Sequence, residues 1–337
     1  MKALVYIAPR KLEYRDWPNP DLQPGEALIR IHAAAVCGSD LHGWLGHSRG
    51  RIPPLVLGNE MAGEVVEIQD LCSPMAPGAH VAVYPLVGCG HCTYCGSGSD
   101  YLCPRRQLLG LHVPGGFAEY VKAPVANLDP LPVDVDFTRG ALVESLACGI
   151  HMTGLAGQNP GSLAILGAGP IGLMGLAAAQ EKSFTKIAVV EINPHRSEVA
   201  RKLGAGLTVN PKDPDTLEHL QCYFGEEGCA VVLDAAGFNV TRQLAVHLAR
   251  AGGLIILAGL GEQESTLDCV DIIRREVRLA GAFAYSRREF QSAVRWIAEG
   301  RLTSSDWVSE APLADGQAVF EDLVDPQSKR VKVVLRP

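Results

Sequence analysis

The chain has 337 residues, 47% hydrophobic and 20% charged, with 30 Lys and Arg against 37 Asp and Glu for a net charge of −7. That length can carry two domains with hydrophobic cores of their own. No basic patch offers a surface for nucleic acid or an anionic membrane, no apolar run would span a bilayer, and the opening MKALVYIAPR is too short an apolar run for a signal peptide, so a cytoplasmic protein is expected.

From the N-terminus to about residue 145, the sequence reads as short strands punctuated by Pro and Gly. Residues 27–35, 63–68, 79–84 and 117–122 are β-branched or alternating runs of a barrel-like, all-β region. Within it, Cys89, Cys92, Cys95 and Cys103 stand in one Gly-rich loop with spacings of two, two and seven residues. Ten cysteines in a secreted protein would suggest disulfides; without a signal, metal ligation is the better reading. Four soft thiolates suit a closed tetrahedral zinc site, whose binding energy folds the loop. Iron–sulfur ligation also uses closely spaced cysteines, and spacing alone leaves both open.

From about residue 162 the texture changes. Apolar strands at 163–166, 187–191, 231–234 and 254–258 alternate with helical periods at 171–181, 197–203 and 240–250. This alternation predicts parallel pairing in a doubly wound sheet. An amphipathic helix at 288–299 and a last strand at 331–335 close the chain. Gly167-Ala-Gly169-Pro170-Ile171-Gly172 follows the first of these strands and opens a helix. That is the context in which such glycines allow a tight turn, the approach of a pyrophosphate and close helix packing. Glu191 ends the next strand, where a carboxylate can accept from both adenosine ribose hydroxyls and repels a 2′-phosphate, favouring NAD over NADP. Arg196 either covers the adenine or sits as a solvated helix charge.

Together with these features, Cys37-Gly-Ser-Asp-Leu-His42, Gly58-Asn59-Glu60-x-x-Gly63, Gly115-Gly-Phe-Ala-Glu-Tyr120, Glu144, Asp234-Ala-Ala-Gly237 and Lys332-Val-Val-Leu resemble the zinc-dependent branch of the medium-chain dehydrogenase/reductase superfamily over essentially the whole chain. The short CGSDLH form and Glu144 look like the polyol group, which includes sorbitol, galactitol-phosphate and threonine dehydrogenases. The resemblance implies an α/β plus β fold: a GroES-like β-barrel catalytic domain over 1–146 and 285–337, with a structural zinc lobe at 88–104, and a Rossmann NAD-binding domain over 147–284. The active site is expected in the cleft between them.

By the same resemblance, Cys37 is a thiolate ligand of a catalytic zinc, and Glu144 lies in the third ligand region. Glu60 is a neighbouring carboxylate that ligates directly or exchanges with water. Ser39 takes the proton of the bound hydroxyl, the cofactor ribose and His42 pass it to solvent, and Asp40 orients a ligating imidazole. Cys148, one turn after Glu144, packs against the nicotinamide or serves as a substitute ligand. The family's Gly-His-Glu departs here to Gly58-Asn59-Glu60. An amide oxygen is a weaker donor than imidazole and leaves Asp40 without the N–H it would orient. His47, Arg49 and Arg51 either read a substrate phosphate or form a solvated loop.

The expected activity is zinc-dependent hydride transfer between a secondary alcohol of a polyol or sugar derivative and NAD, on a small-molecule alcohol or ketone, without nucleic acid or membrane. The competing reading is a silent, metal-depleted nucleotide-binding homologue. A homodimer or homotetramer is expected through sheet-edge pairing near 254–259 and 278–283.

Overall fold

The computed structural model describes residues 1–337 except Arg49, residues 71–74, Asn159, Thr303 and Ser305. It divides into two compact units, Met1–Ala147 with Tyr285–Pro337, and Cys148–Ala284. No helix among the described residues is long and apolar enough to cross a membrane.

In the first unit, the strand Glu26–Ala35 is the spine. It pairs antiparallel with Glu60–Ile68, with Tyr120–Pro124 and with the last strand, Lys332–Arg336. Its alternating residues Ala27, Ile29 and Ile31 point into a core shared with Leu4, Trp44, Phe117 and Phe320. The register sets Ala35 opposite Glu60 and Ala34 opposite Leu335, so the ends of three strands meet where the chain enters Cys37. The expected strand at 117–122 starts only at Tyr120. Phe117 is instead fully buried against Gly58, whose φ of +94° and lack of Cβ admit the ring; a Cβ there would lie 2.7 Å from it.

The second unit is a six-stranded parallel sheet in the order Leu207–Val209, Phe184–Val190, Gly161–Leu166, Cys229–Asp234, Ala249–Leu257, Arg278–Gly281. This is a doubly wound order that reverses beside Gly161–Leu166, the switch point where such sheets take ligands. Helices cover the sheet, among them Pro170–Gln180 and Pro194–Lys202. The helix expected to reach residue 250 ends at Leu248, because Ala249 already opens the next strand in register with Cys229. Leu207–Val209 and the helix Thr216–Phe224 escaped the sequence reading; three residues carry no measurable alternation. The expected edge at 254–259 is corrected. Leu254–Leu257 pairs on both sides, and the edge next to it is Arg278–Gly281, the other being Leu207–Val209.

Candidate active site

The four-cysteine lobe is local. Cys92 caps the short helix Thr93–Gly96, which carries Cys95, and Cys103 follows the turn Asp100–Leu102. All four ligand atoms lie within 4.8 Å of one another, with Sγ separations of 3.6 Å between Cys92 and Cys95 and 4.0 Å between Cys89 and Cys95. A tetrahedral ion with bonds of about 2.3 Å requires such spacings, whereas a multi-iron cluster holds its thiolates apart. Gly88 makes room, since a Cβ there would come within 2.9 Å of Cys95 Sγ. Arg105 donates to Cys89 Sγ at 3.4 Å. The Cys89 thiol is pulled down to about 5, first by a hydrogen bond from the His91 backbone, so the thiolate form that binds metal is favoured.

The second constellation is assembled from distant segments. Cys37 leaves the spine strand and caps the helix Gly38–Trp44, its N–H donating to Asp40 Oδ2 at 3.2 Å. Glu60 opens its strand, and Glu144 stands in the first turn of Val143–Gly154. All are buried. Lys332, with no exposed side-chain surface, donates to Glu60 Oε1 at 2.5 Å. Glu60 Oε2 and Glu144 Oε2 are buried without a hydrogen-bond partner.

Burial and then the Glu60 carboxylate push Glu144 up to about 8, against the pull of a Tyr285 hydrogen bond and of Lys332. Burial and the carboxylates Glu60 and Glu144 likewise raise the Cys37 thiol. Burial alone would lower Lys332, but Glu60 and Cys37 carry its pKa upward. One thiol, two carboxylate oxygens lacking partners and the Asn59 amide form a donor set that fits a divalent cation. Among the described residues only the four cysteines close to ligand spacing, and Glu60 is held by Lys332.

Beside this pocket, Ser39 Oγ donates to Asn59 Oδ1 at 3.5 Å. His42, on the same short helix, meets His47 ring edge to face at 5.1 Å; burial, then His47, keep its pKa below the ordinary imidazole value. His47 is exposed, as a solvated loop requires, and Arg49 lies outside the described residues. Arg51 overturns both alternatives considered for it. It is 6% exposed and donates to Asp40 Oδ1, Ser39 Oγ and Gly110 O at 3.1–3.2 Å. Asp40 therefore does not lack an N–H partner: Arg51 and the backbone of Cys37 and Gly58 supply three. Lys332 and Tyr285 were missed as functional candidates, and the ion pair of Arg51 with Asp40 was not foreseen. The one available signal was a lysine between valines in the closing strand.

In the second unit, Gly167 has φ +95° and Gly172 packs where a Cβ would fall 1.9 Å from Gly167 O. Gly169 has open space at its Cβ position and caps the helix that Pro170 and Ile171 begin. Glu191 is buried, and both its carboxylate oxygens accept backbone N–H groups, Ala168 at 2.6 Å and Asn193 at 2.8 Å. It thus braces the glycine turn and keeps lone pairs for a further donor. Arg196 Nε, in the next helix, is a buried donor without a hydrogen-bond partner. Cys148 is partly exposed.

Residues 23–133 match the family described as Alcohol dehydrogenase GroES-like domain, and residues 170–299 match Zinc-binding dehydrogenase. The chain is 32% identical to sorbitol dehydrogenase of Bacillus subtilis over 100% of its own length and 97% of the relative's. It is 33% identical to L-galactonate-5-dehydrogenase of Escherichia coli over 90% and 89%. A solved zinc-binding dehydrogenase from Sinorhizobium meliloti, bound to NADP, superposes with a TM-score of 0.92 at 30% identity, covering 100% of this chain and 99% of that one.

Proposed function

This chain belongs to the zinc-dependent medium-chain dehydrogenase/reductase family, in its polyol group, and from that premise we propose that it oxidises a secondary alcohol of a polyol or sugar derivative with NAD. The observation that carries the reading is the buried cluster of Cys37, Glu60 and Glu144, with Ser39 beside Asn59, in a chain that covers 97% of a sorbitol dehydrogenase. Cys37 and Glu144, with Glu60 and Asn59, would hold the catalytic zinc, and Cys89, Cys92, Cys95 and Cys103 the structural one. The catalytic ion supplies Lewis acidity, lowering the pKa of a hydroxyl beside it. The residues do the rest. Ser39 lies at the pocket wall to exchange a proton with the substrate oxygen, and His42, held mostly neutral, can pass it outward.

NAD is favoured by Glu191, a carboxylate at the end of the strand after the glycine turn that would repel a 2′-phosphate, and the turn Gly167, Gly169, Pro170, Ile171 and Gly172, with open space at Gly169, would take the pyrophosphate. Arg196 Nε is a free donor for the adenosine ribose. The NADP in the Sinorhizobium relative favours the second reading, NADP dependence. Self-association is proposed through the open edge of Arg278–Gly281, near the exposed Leu279, Phe283 and Ile273, with light scattering as its check.

The test is a screen of polyols, their phosphates and amino alcohols for reduction of NAD and of NADP. Turnover of a polyol with NAD preferred is expected, as is a loss of NAD affinity worth about 1–3 kcal/mol in Glu191→Ala. Failure of every alcohol, or tighter binding of NADP, overturns the corresponding part.

A further inference from the structure

Arg51 is a loop arginine whose seat is built for it. The helix Gly38–Trp44 leaves a notch at Gly43, where a Cβ would fall 2.1 Å from Arg51 Cδ. Within that notch, Nε donates to Gly110 O at 3.2 Å, and Nη2 reaches Asp40 Oδ1 at 3.2 Å and Ser39 Oγ at 3.1 Å. Asp40 is wholly buried and balances the guanidinium charge.

A guanidinium only donates, and a serine hydroxyl has a single proton. Because Arg51 occupies one lone pair of Ser39, that proton must point elsewhere. The acceptor it reaches is Asn59 Oδ1, at 3.5 Å, beside Glu60 in the chain. We propose that Arg51 is a positioning residue for the dehydrogenase reaction: it locks Ser39 as a proton donor toward the substrate oxygen and steadies the seryl oxygen as that proton moves. In the reducing direction, a bound reduced nicotinamide would supply the hydride that the carbonyl carbon takes up. The Ser39 O–H bond then breaks as the O–H bond of the product alcohol forms, and Ser39 is reprotonated from solvent. Oxidation runs the same steps backward. The cation beside Ser39 disperses the negative charge that its oxygen carries in between.

The inference rests on the dehydrogenase reading above, so the experiment separates the two. Kinetics are measured on the polyol that wild-type protein oxidises fastest, starting from sorbitol with NAD. Arg51→Lys retains a cation for Asp40, but its single nitrogen cannot reproduce the separate donations of Nε to Gly110 and of Nη2 to Asp40 and Ser39. Its kcat is expected to fall roughly tenfold or more, the scale of a misplaced proton donor, with KM for NAD unchanged and a larger solvent deuterium isotope effect on kcat. In a Ser39→Ala background the same substitution is expected to cost less than about twofold, since its effect passes through the missing hydroxyl. Full cost in that background, or wild-type kcat in Arg51→Lys, overturns the proposal while leaving the dehydrogenase reading intact. Wild-type protein inert on every polyol overturns that reading and this one with it. Should Arg51→Lys not fold, Arg51→Gln is carried through the same cycle, with the same outcomes decisive.

Discussion

The four-cysteine lobe and the buried Cys37 pocket are both polar constellations suited to a metal, but they are built by opposite means. In the lobe, four thiols from fifteen consecutive residues, Cys89 to Cys103, reach ligand spacing with little help from the rest of the fold, and three of them remain partly exposed. In the pocket, Cys37, Glu60, Glu144 and Lys332 come from four segments, all buried, and the nearest cation to Glu60 is a lysine 272 positions away in sequence. In the lobe, ion binding would substitute for a hydrophobic core. In the pocket, the hydrophobic core forces charges together, and they answer with an ion pair and a raised carboxyl pKa.

The largest effect that would break this contrast lies in the lobe. Structural zinc contributes on the order of 10 kcal/mol to small domains that depend on it. Cys92→Ser is therefore expected to lower the zinc content by one ion per chain and to drop the melting temperature sharply, as read by metal analysis and calorimetry. Next comes the pocket's own cation. Lys332→Met leaves Glu60 charged and buried without its partner, an error that typically costs about 3–5 kcal/mol. Urea denaturation is expected to show that loss, and Lys332→Met with Glu60→Gln to recover most of it.

A smaller change sharpens the comparison by making the pocket more like the lobe. Asn59→His adds a nitrogen donor and is expected to tighten zinc binding at least about 10–100-fold, a scale set by losses in outer-shell contacts alone. Competition with a chromogenic chelator measures it; unchanged metal affinity would show that position 59 is no ligand.

The remaining expected effect is a pH dependence. Glu144 ionises near 4.5 in the unfolded chain but only near 8 in the fold. Between those values the unfolded state has released a proton that the folded state keeps, so metal-free protein loses stability as pH rises through that window. Glu144→Gln removes the penalty. It is expected to be more stable than wild type at pH 8 by about 1 kcal/mol or more and level with it below pH 4.5, as followed by denaturant titration across the range.

What the sequence by itself determined about this protein is what depends on near neighbours. Alternating strands and helices after residue 162, the turn at Gly167-Ala-Gly169 and the cysteine spacing are all written within windows of a few tens of residues, where periodicity, backbone freedom and ligand spacing act directly. The family motifs added which side chains to expect at the site, Cys37, Ser39, Glu60 and Glu144 among them. Only the tertiary structure decided how those side chains are engaged. Arg51 reads in the sequence as one more loop charge, yet the notch at Gly43 and the carboxylate of Asp40 bury it. Lys332 is a lone polar residue in an apolar strand until the sheet register brings it against Glu60. Glu191, expected to await a ribose, already holds two backbone amides. The physical reason is the same in each case. Burial and Coulomb energy depend on distance in space, and a charge meets its partner only after strands hundreds of residues apart have found their register.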